Sequence, residues 1–100
     1  MQIKEAEKMA EQEEMLNQTK YKAYDVEDTY QTIIAKNANL RVAPKLGSDV
    51  ITTISEGTEC YVNETKVENA ERFWCKVEYY DDMGDYYTGW VSYNTMNYKY

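Results

Sequence analysis

Hydrophobic and polar positions along this chain follow two rules, with the change near Tyr30. Residues 1–20 hold no Gly or Pro and are mostly Ala, Glu, Gln, Lys, Met and Leu, which favour helix. The apolar stripe is thin: Ile3, Ala6, Met9, Ala10 and Leu16, with Glu13 interrupting it. Met9, Leu16, Ala23 and Tyr30 recur at heptad spacing, but one filled line without a second is a poor coiled-coil seam. Opposite charges three apart, as at Lys4 and Glu7, are offset by like charges four apart at Lys4 and Lys8 and at Glu7 and Glu11. This pattern predicts a helical segment over residues 1–28. One reading makes it a solvated connector; the other makes it a helix that packs on the remainder or on another copy.

From Tyr30 the period shortens to two. "YQTIIA", "VITTI", "CYVNETKV", "RFWCKVEYY" and "YYTGWV" read as strands, with turns at "SEGTE", "ENAE" and "DDMGD". The stretch "KNANLRVAPKLGSD" carries the one Pro and a Gly, and reads as a long loop. Five short strands with tight turns and no helix between them predict a mainly β fold over residues 29–100, a small antiparallel barrel or sandwich preceded by the N-terminal α-helix.

Alternation assigns faces within the strands. If Val77 points inward, so do Phe73, Cys75 and Tyr79, while Trp74, Lys76, Glu78 and Tyr80 point outward. If Val91 is inward, Gly89 and Tyr87 share its face, and Tyr86, Thr88 and Trp90 take the other. Cys60 and Val62 face in, leaving Glu59 and Tyr61 out. The aromatic-rich segment 73–91 thus divides into core rings (Phe73, Tyr79, Tyr87) and an outer set (Trp74, Tyr80, Tyr86, Trp90). Outer rings have two readings: apolar lids over a core too small to seal itself, or a platform for a ligand, since Trp and Tyr are enriched where binding energy concentrates.

Composition narrows the chemistry. The net charge of −7 makes phosphate backbones and anionic headgroups poor partners, so neither nucleic acid nor a membrane surface is expected. No apolar run approaches the roughly 20 residues that cross a bilayer, and the start of the chain lacks the apolar core of a signal peptide. The chain has no His, no Gly-rich phosphate loop and no Cys with a visible base, so it is read as non-catalytic, without cofactor or metal. The turn "DDMGD" lacks the ligand count and spacing of a calcium loop and reads as a solvated turn. A hairpin turn centred on Asn69 and Ala70 would put Cys60 opposite Tyr79 and Cys75 opposite Glu64. The two sulfur-bearing positions are then roughly 13 Å apart, beyond the reach of a disulfide at about 7 Å between Cα atoms. Two buried free thiols are expected.

Several of these segments resemble one known family. Asn39-Leu40-Arg41, Pro44, Val50-Ile51, Ile54 and Gly57-Thr58 fall in the frame of the bacterial SH3-like domain. "WCKV" is similar to its Trp-Tyr-Lys-Val strand, with Cys75 in the Tyr place, and "TGWV" to its terminal Gly-aromatic-Val strand. The likeness spans residues 30–96. Val42-Ala43 stands where a small pair is usual, and the hairpins at 63–71 and 80–87 are longer than the family's. The resemblance implies a five-stranded SH3-like barrel and a non-catalytic module that binds peptidoglycan peptides or other extended peptides as part of a larger bacterial protein. It also implies an extracytoplasmic or cell-surface setting, although two free Cys suit a reducing compartment as well. Carried over position by position, the ligand-binding candidates are Trp74, Trp90 and Tyr93, with Tyr86 next. The alternative function is structural: the N-terminal helix covers the outer aromatics with Met9 and Leu16, or mediates self-association into a homo-oligomer. A docked helix would hide the rings, and a free one would leave them open.

Overall fold

The computed structural model describes residues 2–97, with side chains described from Glu11 onward. Helix α1 (Gln2–Val26) is followed by six strands: β1 (Thr29–Thr32), β2 (Asn37–Arg41), β3 (Val50–Ser55), β4 (Glu59–Asn69), β5 (Arg72–Tyr80) and β6 (Tyr86–Ser92). A 3-10 turn at Tyr93–Thr95 follows β6. All neighbouring strands are antiparallel and form one sheet in the order β1-β4-β5-β6-β2-β3.

The sixth strand is a correction to the expected five. It is β2, "NANLR", which the sequence reading places in a loop. Asn37 and Asn39 are poor strand formers and hide the alternation, but both are exposed while Ala38 and Leu40 between them are fully buried. Burial of those two apolar side chains outweighs the weak backbone preference of the asparagines.

The core follows the predicted faces in β4, β5 and β6. Leu40, Ile54, Val62, Phe73, Val77 and Val91 are fully buried, with Cys60, Cys75 and Tyr79 beside them. Cys75 pairs with Thr65 rather than the expected Glu64. The cause is a bulge between Val62 and Glu64, which inserts one residue into β4 and advances the register beyond it. Both cysteines are free and buried. Burial, the larger cause, and the charge of Glu59 push the Cys60 thiol up to about 12; burial likewise raises Cys75. Because the thiolate is the nucleophile, neither is expected to react with iodoacetamide at pH 8 in the folded chain, and both should react after denaturation. Intact-mass analysis checks this, and rapid modification of either in native buffer would show that the core opens.

The last third of α1 is docked. Thr19, Ala23 and Val26 fall on one stripe at helical spacing and are each 2% exposed. The Thr19 hydroxyl donates to the Ala70 carbonyl at the β4–β5 turn. The Glu27 carboxylate accepts from the Thr65 amide at 3.2 Å and its hydroxyl at 2.9 Å. The helix ends as Asp28 turns left-handed (φ 59°), a conformation that Asp tolerates better than most residues. The Asp28 amide then donates to Val62 at 2.8 Å and starts the β1–β4 ladder. Ala23 and Val26 belong to the same cluster as the barrel core, so packing crosses the boundary at residues 28 and 29 that composition suggests. Of the seven-residue line, Ala23 is buried, Leu16 half-buried and Tyr30 exposed, while the Met9 side chain lies outside the described residues.

Candidate functional site

The outer face of the sheet gathers the exposed tyrosines Tyr30, Tyr80 and Tyr86, while two more, Tyr21 and Tyr24, stand on α1. In register, Tyr30 of β1 lies opposite Tyr61 of β4, Tyr61 opposite Glu78 of β5, and Glu78 opposite Thr88 of β6. Two positions further along, Thr32 faces Glu59 and Tyr80 faces Tyr86. Since residues two apart share a face, these rows build one surface across four strands. Tyr30, Tyr61, Tyr80 and Tyr86, with Glu59, Glu78 and the edge of Tyr79, line an open cleft of about 440 Å³. Tyr30, Tyr80 and Tyr86 are 67%, 69% and 49% exposed, which is high for so much ring surface.

The rings are held in fixed pairs. Tyr30 meets Tyr61 edge-on, with centroids 5.2 Å apart, and Tyr80 meets Tyr86 at 5.5 Å and a tilt of 58°. Beneath them Tyr79 and Tyr87 stack at 5.4 Å. Tilted pairs of this kind gain about 0.5–1.5 kcal/mol beyond their buried area. Polar contacts add to the order. The Tyr61 hydroxyl donates to Asp28 at 3.1 Å, and the Tyr86 hydroxyl donates to the Glu78 carboxylate. That hydrogen bond, then one from Asn63 and the charge of Lys76, holds the Glu78 carboxyl below its ordinary value, while the Tyr86 and Tyr61 phenols are raised by their acidic partners.

A folded-state carboxyl held low contributes stability above its unfolded value, lost as pH falls through the folded one. Carbon-detected titration should therefore place Glu78 below the ordinary Glu value of about 4.3. Tyr86→Phe should move the midpoint upward, because it removes the leading cause. An unchanged midpoint would mean that the hydrogen bond is not made in solution.

The four sequence candidates separate on inspection. Tyr86 stands in the cleft. Trp90 is half-buried on the adjoining row, opposite Lys76 on one side and Arg41 on the other. Trp74, expected on the outer face, is 1% exposed. It does face away from Phe73 and Cys75, but long polar side chains surround it: its indole donates to Glu68 at 3.3 Å and the Arg72 guanidinium lies 5.8 Å from the ring. Tyr93 is 2% exposed, because the 3-10 turn after β6 stacks its ring on Phe73 at 4.5 Å, with Lys22 of α1 5.9 Å from it. Neither ring presents a face to solvent.

Tyr30, Tyr61, Glu59 and Glu78 line the cleft without being among the sequence candidates. Alternation puts Glu59, Tyr61 and Glu78 outward, but only the pairing of β1 with β4 brings Tyr30 and Tyr61 together. The docked helix leaves this face open: α1 meets β4 at Thr65 and the turn at Ala70, away from Glu59 and Tyr61.

Elsewhere the chemistry is structural. Asp81 accepts from the amides of Met83 at 2.9 Å and Asp85 at 2.8 Å, so the first carboxylate of the acidic turn is spent on closing it. Among the described residues no group of three or more His, Cys, Asp or Glu side chains is placed to hold a metal ion. No described helix is long and apolar enough to cross a membrane.

Six antiparallel strands in one sheet around a single hydrophobic core fit the SH3-like barrel class. Residues 36–97 match the profile of the bacterial SH3 domain, and the chain belongs to that family. Members of the family are in general non-catalytic binding modules. No curated protein and no solved structure matched the chain. The family match begins just before β2, so α1 and β1, including Tyr30, lie outside it.

Proposed function

We propose that this chain is a non-catalytic module that reads extended peptides, cell-wall peptides among them, within a larger bacterial protein at or beyond the cell surface. The observation that supports this most directly is the cleft of exposed tyrosines on a rigid sheet, where ring faces and hydroxyls are offered together. Such a shallow site suits an extended chain, whose backbone hydrogen-bonds while its side chains stack; it offers little of the enclosure that catalysis needs. The wall setting and the bacterial host protein rest on the family alone. In this reading Tyr86 and Trp90 stay as ligand-binding residues and Tyr30, Tyr61 and Tyr80 join them, while Trp74 and Tyr93 support the barrel.

The test is an amide NMR titration of the intact chain with soluble peptidoglycan fragments and their free stem peptides. The expected shifts cluster at residues 59–61, 78–80 and 86–90. A spectrum unmoved at millimolar fragment would remove wall peptides from the ligand class.

A further inference from the structure

The cleft has a charge signature that the peptide reading alone does not require. Its lining holds two carboxylates, Glu59 and Glu78, and no Lys or Arg. The nearest cation by register, Lys76, points to Glu64, 3.8 Å away. Among the described residues neither Glu59 nor Glu78 has an ion-pair partner within 4 Å, and the charge of Lys76 reaches Glu78 only as the last of its influences. Glu78 is nonetheless fixed in place, since the Tyr86 hydroxyl donates to its Oε1. Around these carboxylates stand two tilted tyrosine pairs, Tyr30 with Tyr61 and Tyr80 with Tyr86, each drawn from two different strands. The negative faces of phenol rings attract a cation, and carboxylates set among them add direct charge. The chain's net charge of −7 favours the approach of the same class of ligand.

We infer that the tyrosine cleft binds the side-chain ammonium of a lysine residue in an extended peptide, with its methylene stem along the rings and its charged head between Glu59 and Glu78. This rests on the peptide-binding reading above and names the group that reading leaves open. The cleft volume of about 440 Å³ suits one long side chain rather than a folded partner. One wall comes from β1: Tyr30 lies outside the segment that matches the family, in the strand that α1 delivers to the edge of the sheet. The cation site is therefore a property of the barrel together with its N-terminal extension. The docked stripe of Thr19, Ala23 and Val26 then has a further consequence, since it positions the helix end from which Tyr30 is placed.

The experiment titrates the intact chain with two capped pentapeptides, acetyl-Gly-Gly-Lys-Gly-Gly-amide and its norleucine counterpart, which keeps the stem and loses the charge. The lysine peptide is expected to bind about tenfold tighter, between the scale of an exposed and that of a desolvated cation–aromatic contact, with shifts at residues 30, 59–61, 78–80 and 86–88. Glu59→Gln combined with Glu78→Gln should abolish the preference, and Tyr80→Leu, which keeps apolar cover and removes a π face, should reduce it severalfold. Spectra of the free variants report whether each is still folded. Equal affinity for the two peptides would overturn the cation site and leave the peptide-binding reading standing. Movement of the cleft amides by neither pentapeptide nor any wall fragment would overturn both.

Discussion

Deleting residues 1–28 is expected to lower the unfolding free energy by about 4–6 kcal/mol, although a mostly polar helix reads as a removable connector. Val26 is almost fully buried, and burying a valine contributes about 1.5–3 kcal/mol. Ala23 adds a buried methyl at about 0.8 kcal/mol. The hydrogen bonds from Thr19 to Ala70 and from Thr65 to Glu27 each contribute about 1 kcal/mol net. The deletion also uncovers the Tyr93 ring beneath Lys22. Urea unfolding followed by tryptophan emission measures the loss. Ala23→Asp in the full-length chain supplies an independent reading, because it forces a carboxylate into the same packed stripe without removing any residue. Equal midpoints for the full chain and the deletion would mean that α1 is detached in solution.

That docking shows where the sequence is legible and where it is not. Among the described side chains the buried stripe of α1 is three residues long, and one of them is Thr19, whose hydroxyl proton is shared between the carbonyls of Met15 and Ala70. A polar residue matched by a distant carbonyl leaves no hydrophobic signal. Period-two alternation, by contrast, is a local property, and it places Phe73, Cys75, Val77 and Tyr79 on the core face without knowledge of their partners. Alternation tells which face Trp74 occupies but not what covers that face. Its cover comes from Glu68, across the hairpin, and from Arg72. The cleft divides in the same way. Tyr80 and Tyr86 belong to one hairpin and are readable as neighbours, whereas Tyr30 joins Tyr61 only through the pairing of β1 with β4, which no local pattern encodes. Tyr93 misleads because the chain after β6 turns back over Phe73 instead of continuing along the outer face.

The last glycine of the chain tests a close approach between β6 and β2. Gly89 lies on β6 opposite Val77, in the "TGWV" segment that resembles the family's terminal strand. A methyl group there would come within 2.7 Å of the Arg41 carbonyl oxygen and 3.0 Å of both Leu40 Cγ and Ile51 Cδ1. The isoleucine end can rotate away, but the carbonyl belongs to the backbone of β2, which the pairing of Arg41 with Trp90 holds against β6. Gly89→Ala must therefore push two strands apart in a close-packed interior, at a cost of about 2–3 kcal/mol. For a chain of this size that lowers Tm by roughly 10–15 °C, with amide shift changes concentrated at residues 40–42 and 51. Gly57 is the control, since its φ of +86° disfavours a side chain while nothing lies within 4 Å of the added methyl. Gly57→Ala should cost only the backbone penalty, about 1–2 kcal/mol. Calorimetry on the two variants orders the effects. A smaller loss at Gly89 than at Gly57 would mean that β2 and β6 stand further apart in solution, with the core between Leu40 and Val77 packed less tightly than described.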